Sequence, residues 1–131
     1  MVCLDTDVII NFLRNDKSSV ELLKKMISEG KVLTTTAVNS FELWKGAYRS
    51  RSESGLGAVE KFLASVNIFS LDERSSKKAA EIFEGLASRG ETVDSLDVLI
   101  GAIAIQNREK ILTLNRKHFE RIPGIELADL R

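Results

Sequence analysis

Two short apolar runs open the chain, Val2-Cys3-Leu4 and Val8-Ile9-Ile10, with Asp5-Thr6-Asp7 between them. Residues 2–5 predict a buried strand, and the second run a short helix ending near Arg14-Asn15-Asp16. Val20, Leu23 and Ile27 recur at i, i+3, i+7, which predicts an amphipathic helix closing at Gly30. Val32-Leu33-Thr34 is a second candidate strand, and the threonines after it are N-caps for a helix from Ala37 to Arg49. The pattern breaks over Arg51-Ser52-Glu53-Ser54-Gly55, a predicted loop, and resumes in a helix through Val59, Phe62 and Leu63.

A strand at Val66–Phe69 follows. Asp72 then caps a long helix ending near Gly90, with Ala79, Ile82, Phe83 and Leu86 on its inner face. The stretch Val98 to Ile105 is apolar almost all round, which predicts a helix buried in the core. Ile111-Leu112-Thr113-Leu114 is a fourth strand, and Glu126-Leu127 a short fifth one after the Pro123-Gly124 turn. Strands alternating with helices imply an α/β fold, a parallel sheet with helices on both faces. Residues 1–131 read as one domain, since the length suits a single core and no linker or repeat interrupts it.

Charge and composition narrow the function. The 19 basic and 19 acidic residues cancel, so nucleic acid would have to be held by a local basic patch rather than a global field. One cysteine, Cys3, excludes an internal disulfide and a cysteine-cluster zinc site, and one histidine, His118, excludes a histidine-rich metal site. Cys3 lies in the first strand and reads as a buried thiol. No run reaches the roughly 20 apolar residues that span a bilayer, and the N-terminus lacks a secretory layout, so a cytoplasmic protein is expected.

Three acids stand out because apolar sequence surrounds them: Asp5 at the end of the first strand, Glu42 between Phe41 and Leu43-Trp44, and Asp97 between Leu96 and Val98. An acid just beyond a strand's carboxyl end lies where open α/β sheets bind ligands. Buried acids are rare without a partner or a metal, and three in one cavity need a cation to stay ionised together. An oxygen-only set favours Mg²⁺ or Mn²⁺ over zinc. Each acid also has a plain structural role open to it. Asp5 is a good helix cap, Glu42 suits a solvated helix face, and Asp94 with Asp97 has capping-box spacing.

With these residues in view, the chain resembles PIN-domain ribonucleases, and in particular the VapC-type toxins of toxin–antitoxin pairs. The resemblance is carried by Val2-Cys3-Leu4-Asp5-Thr6-Asp7-Val8-Ile9, Ser40-Phe41-Glu42-Leu43, Asp97-Val98-Leu99-Ile100-Gly101-Ala102-Ile103-Ala104, Leu112-Thr113-Leu114-Asn115-Arg116-Lys117-His118-Phe119 and Ile122-Pro123-Gly124-Ile125-Glu126-Leu127. It implies a three-layer α/β/α sandwich with a central, mostly parallel sheet of four to five short strands. It further implies a metal-dependent ribonuclease, the toxin of a type II pair, in which Asp5, Glu42 and Asp97 hold Mg²⁺ or Mn²⁺. Asn115 stands where the family often has a fourth acid, and adds no charge, so one resident ion is expected. His118 falls where an acid is common and is expected to be solvated. Thr6, Asp7 and Asp94 are supporting candidates.

The resemblance also implies an RNA substrate, a cognate antitoxin that inserts into a groove and blocks the site, and a homodimer. Lys45, Arg49, Arg51 and Arg116, with Arg14 and Lys117, are candidates for contact with the RNA backbone, and each is equally readable as solvated charge. Phe12, Leu13 and Trp44 are candidates for lining the antitoxin groove. No base-stacking module is apparent. Other readings remain: an RNA-processing enzyme, a non-catalytic PIN-like binding module, or a haloacid-dehalogenase-type phosphohydrolase with Asp5 as nucleophile. The last leaves Glu42 and Asp97 without a role.

Overall fold

The structure, a computed structural model, describes residues 1–130. In β1 (Val2–Leu4) alternate side chains serve opposite faces of the sheet, as the two-residue period of a strand requires. Val2 and Leu4 join a cluster with Val8, Ile9, Leu23, Leu43, Phe62 and Leu63. Cys3 joins a second one with Ile82, Leu86, Val98, Ile103, Ile111 and Phe119. The first is built on α1 (Thr6–Leu13), α2 (Lys17–Ser28) and α4 (Glu53–Ala64), and the second on α5 (Glu73–Ser88) and α6 (Ser95–Gln106). The helix α3 (Ala37–Ser50) contributes to both, through Leu43 and Ala47 to one and Val38 to the other. The result is the expected α/β/α arrangement.

The sheet has the order β3-β2-β1-β4, with β2 at Leu33–Thr36, β3 at Asn67–Phe69 and β4 at Lys110–Leu112, and every pairing is parallel. The order grows outward from β1 to β3 and then jumps back to put β4 on the far side of β1. That reversal opens a crevice at the carboxyl ends of β1 and β4, the place where such sheets bind ligands. Cys3 is fully buried in the middle of β1, and burial with the nearby Glu109 charge pushes its thiol pKa up to about 12, so it is an inert core residue. Among the described residues no helix is long and apolar enough to cross a membrane.

Several boundaries differ from the expectation for local reasons. The predicted fifth strand is an isolated parallel bridge, Leu127 to Ile111, held by Ile111 N–H to Glu126 O (2.9 Å) and Ala128 N–H to Ile111 O (2.8 Å). The predicted loop over residues 51–55 is much shorter. Arg51 ends α3 in the left-handed region (φ 54°), and Ser52 accepts from Gly55 N–H (3.0 Å), so α4 already starts at Glu53. Phe83 is exposed rather than inward, because the buried line of α5 runs through Ser75, Ala79, Ile82 and Leu86 and leaves Phe83 to one side. Ile27 likewise falls off the Leu23–Met26 stripe of α2 and lines a surface cleft of about 570 Å³ with Phe12 and Phe62.

Two glycines inside helices make a stability test of the packing. A Cβ on Gly85 of α5 would meet nothing within 4 Å, whereas one on Gly101 of α6 would lie 2.9 Å from Ile122 Cδ1. Gly85→Ala is therefore expected to stabilise the fold by about 0.5–1 kcal/mol in urea unfolding. Gly101→Ala should lose that gain, because Ile122 is itself buried and has little room to yield. Equal gains from both would mean that α6 and the segment after α7 (Arg116–Glu120) are not tightly apposed.

Candidate metal centre

Asp5 is the residue at which β1 becomes α1, and it serves both elements. Its carboxylate Oδ1 accepts from Thr6 N–H (2.8 Å), the N-cap bond that starts α1. The side chain is only 6% exposed, yet three donors satisfy it: beyond Thr6 N–H, Asn39 Nδ2 donates to Oδ1 (3.1 Å) and the Thr113 hydroxyl donates to Oδ2 (2.7 Å). Each donor stands at the carboxyl end of a different strand, because Asn39 follows β2 and Thr113 follows β4 directly. The sheet edge thus builds a three-sided clamp on one carboxylate.

The clamp extends to Glu42. Thr36 and Asn39 form a reciprocal capping box at the start of α3, in which the Thr36 hydroxyl and N–H both donate to Asn39 Oδ1 (2.7 and 3.3 Å). With its oxygen held this way, the Asn39 amide must present Nδ2 to Asp5 and to the Thr6 hydroxyl (2.9 Å). Having accepted from Asn39, Thr6 donates to Glu42 Oε1 (2.7 Å). One cap therefore orients two acids on different helices.

Charge at the site is lopsided. Burial and the Asp5 charge push the Asp7 carboxyl up to about 6. Burial, then Asp5 and Asp94, push Asp97 up to about 6 as well. Glu42 is also raised, first by burial and then by Asp5 and Asp94, against the Thr6 hydrogen bond and the Lys45 charge. Among the described residues no lysine or arginine forms an ion pair with any of these five acids. The one ion-pair contact is from His118 Nδ1 to Asp97 Oδ2, at 3.5 Å. Acids that raise one another's pKa with no lysine or arginine paired to them make a negative region that favours a positive ligand.

As the side chains stand, no three acidic, imidazole or thiol groups among the described residues are close enough to hold one ion together. The donor chemistry still suits a hard divalent ion of the magnesium type, which keeps several waters and takes one or two carboxylates directly. Glu42 has one oxygen without a protein donor, Asp97 meets only His118, and Asp5, which accepts three hydrogen bonds, keeps spare lone-pair capacity on Oδ2.

The remaining predicted residues separate clearly. Asp94 caps α6 through Leu96 N–H (2.8 Å), while Asp97 returns no capping bond and faces His118 instead. Asp7 accepts from Leu114 N–H (3.1 Å), which ties α1 to the loop after β4. Asn115 does not touch the acids, for its Nδ2 lies 2.8 Å from His118 Nδ1. His118, expected to be a solvated surface residue, is half exposed but directs Nδ1 inward. Lys45 lies over the Phe41 ring (5.3 Å) beside Glu42, and Arg49 and Arg51 are exposed near the end of α3. Arg116 is tied down, donating to Ala128 O (2.8 Å). Asn39 and Thr113 were not singled out from the sequence. The Thr36-x-x-Asn39 spacing carried a capping signal, and nothing marked Thr113 beyond its place at a strand end.

This fold and edge are those of one family. The PIN domain family profile matches residues 2–125, and the chain belongs to that family, which displaces the phosphohydrolase reading. Its relatives include ribonuclease VapC19 of Mycobacterium tuberculosis, 28% identical over 126 residues, 96% of this chain and 98% of the relative. The tRNA(fMet)-specific endonuclease VapC of Shigella flexneri is 28% identical over 127 residues, 96% of this chain and 95% of its own. Among solved structures, a chain of DNA-bound VapBC from Salmonella typhimurium has a TM-score of 0.85 at 27% identity, with all of both chains covered. VapBC-1 of nontypeable Haemophilus influenzae superposes with a TM-score of 0.87 at 24% identity, covering 99% of this chain and 98% of that one.

Proposed function

We propose that this protein is a divalent-metal-dependent ribonuclease, acting in the cytoplasm as the toxin of a type II toxin–antitoxin pair. The observation that carries the reading is the clamped Asp5 facing Glu42 and Asp97 with no paired cation. The names of the VapC relatives, a ribonuclease and a tRNA endonuclease, agree with it. Asp5, Glu42 and Asp97 would hold Mg²⁺ or Mn²⁺, some of them through water. A bound ion supplies an activated water and relieves charge on the phosphate. Asn39, Thr113 and Thr6 hold the carboxylates by hydrogen bonds, and Asn115 contacts the His118 ring rather than an acid. Exposed Lys45, Arg49 and Arg51 are the candidates to meet RNA phosphates, whereas Arg116 donates to Ala128 O.

An antitoxin segment has a path to the same point. A groove of about 270 Å³ between α1, α3 and α4 is floored by Leu13, Leu43, Ala47 and Val59, and Glu42 lies at its edge. A basic side chain on a segment in that groove would reach Glu42. Phe12 opens instead onto the larger cleft on the other side of α1, and Trp44 packs near Tyr48 (ring centroids 6.2 Å). Self-association is part of the reading, with the exposed Phe83 over the shallow α5–α6 groove as an apolar contact.

Labelled single-stranded RNA incubated with the purified protein should be cut in Mg²⁺ or Mn²⁺ and left intact in EDTA. Failure to cut any RNA with either ion would leave only the binding-module reading. The toxin role is tested in cells, where expression should arrest growth and co-expression of a neighbouring antitoxin gene should restore it.

A further inference from the structure

Of the three exposed aromatic side chains among the described residues, two lie on α3, Phe41 (54% exposed) and Tyr48 (66%). Trp44 stands between them, half-buried against the first core cluster, its ring centroid 6.2 Å from that of Tyr48. Phe41, Trp44 and Tyr48 recur at i, i+3, i+7, and Lys45 and Arg49 at i+4 and i+8, so one face of the helix presents all five. At about 100° per residue the aromatic row comes first around the helix, the two cations next and Glu42 last. The cations therefore lie between the rings and an acid of the metal centre. Lys45 is near enough for its charge to act on the Glu42 carboxyl.

Single exposed apolar residues are ordinary, but large aromatics standing together need an occupant. Interfaces between proteins are depleted of lysine and of charge at their centre. Here two exposed cations flank the rings, and among the described residues neither forms an ion pair. No aliphatic side chain of α3 is exposed. Rings that stack bases beside cations that track phosphates are how single-stranded nucleic acid is held. Lys45 rests over the Phe41 ring at 5.3 Å, a contact weak enough at an exposed site to be exchanged for a phosphate. A duplex hides its base faces, so this surface suits unpaired strands. No stacking module is apparent in the sequence because the three rings meet only when the chain coils into α3.

We propose that the outer face of α3 is a platform for single-stranded RNA, with bases stacked on Phe41, Trp44 and Tyr48 and phosphates on Lys45 and Arg49, beside Glu42. The inference rests on the ribonuclease reading above. Trp44 is the only tryptophan, so its emission reports on one place. Oligouridine added in EDTA, which withholds the metal, should quench that emission, and duplex RNA should not. Tyr48→Ala should weaken oligouridine binding about fivefold or more, and Tyr48→Phe by less than about twofold. Lys45→Ala should lower the slope of log affinity against log salt by about 0.7. Both side chains are exposed, so these variants should fold as the wild type does. Oligouridine that binds with Trp44 unquenched, and equally well to Tyr48→Ala, would overturn the platform, while metal-dependent cleavage by the same wild-type protein would keep the ribonuclease reading. Tyr48→Ala that leaves RNA binding unchanged but splits a dimer in sedimentation would make this face a contact between copies instead. A wild-type protein that neither binds nor cuts RNA would remove both.

Discussion

Asp5→Asn is expected to lower metal-dependent RNA cleavage by more than about a hundredfold while leaving a folded protein. The loss should exceed the about 10–100-fold typical of removing a group that only supports a ligand, because Asp5 is proposed as a ligand itself. The fold should survive because the hydrogen bonds can be rearranged. Asp5 Oδ1 accepts from Thr6 N–H and Asn39 Nδ2, and an asparagine oxygen can take over both. Its new amide then points at Thr113 Oγ1, which must stop donating. Asp7 Oδ2, 3.5 Å from that hydroxyl, is the acceptor to which it can turn. Cleavage rates, Mn²⁺ binding and circular dichroism on the same preparation separate the outcomes. Cleavage within a few-fold of wild type would show that Asp5 is a helix cap and no more.

The same residues show how far the sequence could be read. Asp5, Glu42 and Asp97 were visible because each is a charge set in apolar surroundings, where burial demands a reason. Their supports were not visible. Asn39 looks like an ordinary cap partner, and only in three dimensions does the capping box leave its Nδ2 free to serve Asp5 and Thr6. Thr113 reads as one more β-former at a strand end, and its partner lies 108 residues away. Helix and strand order followed from apolar periodicity, including the position of Leu127 beside the sheet, yet the extent of that pairing and the orientation of His118 depend on long-range geometry and did not. Leu127 pairs with the sheet at a single bridge, and the orientation of His118 depends on how Phe119 and Arg116 anchor α7. Arg116 illustrates the limit for basic residues, since a surface cation and a tether to a backbone carbonyl look alike in one dimension.

Asp97→Asn should abolish cleavage and, unlike most substitutions at a site, make the metal-free protein more stable at neutral pH. The Asp97 carboxyl is pushed from an ordinary 3.8 up to about 6 by burial and by Asp5 and Asp94, and its side chain is only 17% exposed. Its folded-state pKa lies above its unfolded one, so the folded protein binds more protons between these values. Stability from this group therefore falls as pH rises from about 4 to about 6, and the whole penalty remains above that. Its size is about 1–3 kcal/mol. Removing a charge from the first turn of α6 and the contact with His118 returns about 0.3–1 kcal/mol of that. In EDTA at pH 7.5 the variant should melt roughly 3–10 °C above wild type. The difference should shrink as pH falls below about 6 and vanish only below about 3, where Asp97 is protonated in both states, and Asp7 cancels because both proteins carry it. Added Mn²⁺ should raise the wild type and leave the variant nearly unmoved, since only a ligand that binds the folded state stabilises it. A variant no more stable than wild type in EDTA would mean that His118 already neutralises Asp97 in the free protein, and that the acids do not need a metal to coexist.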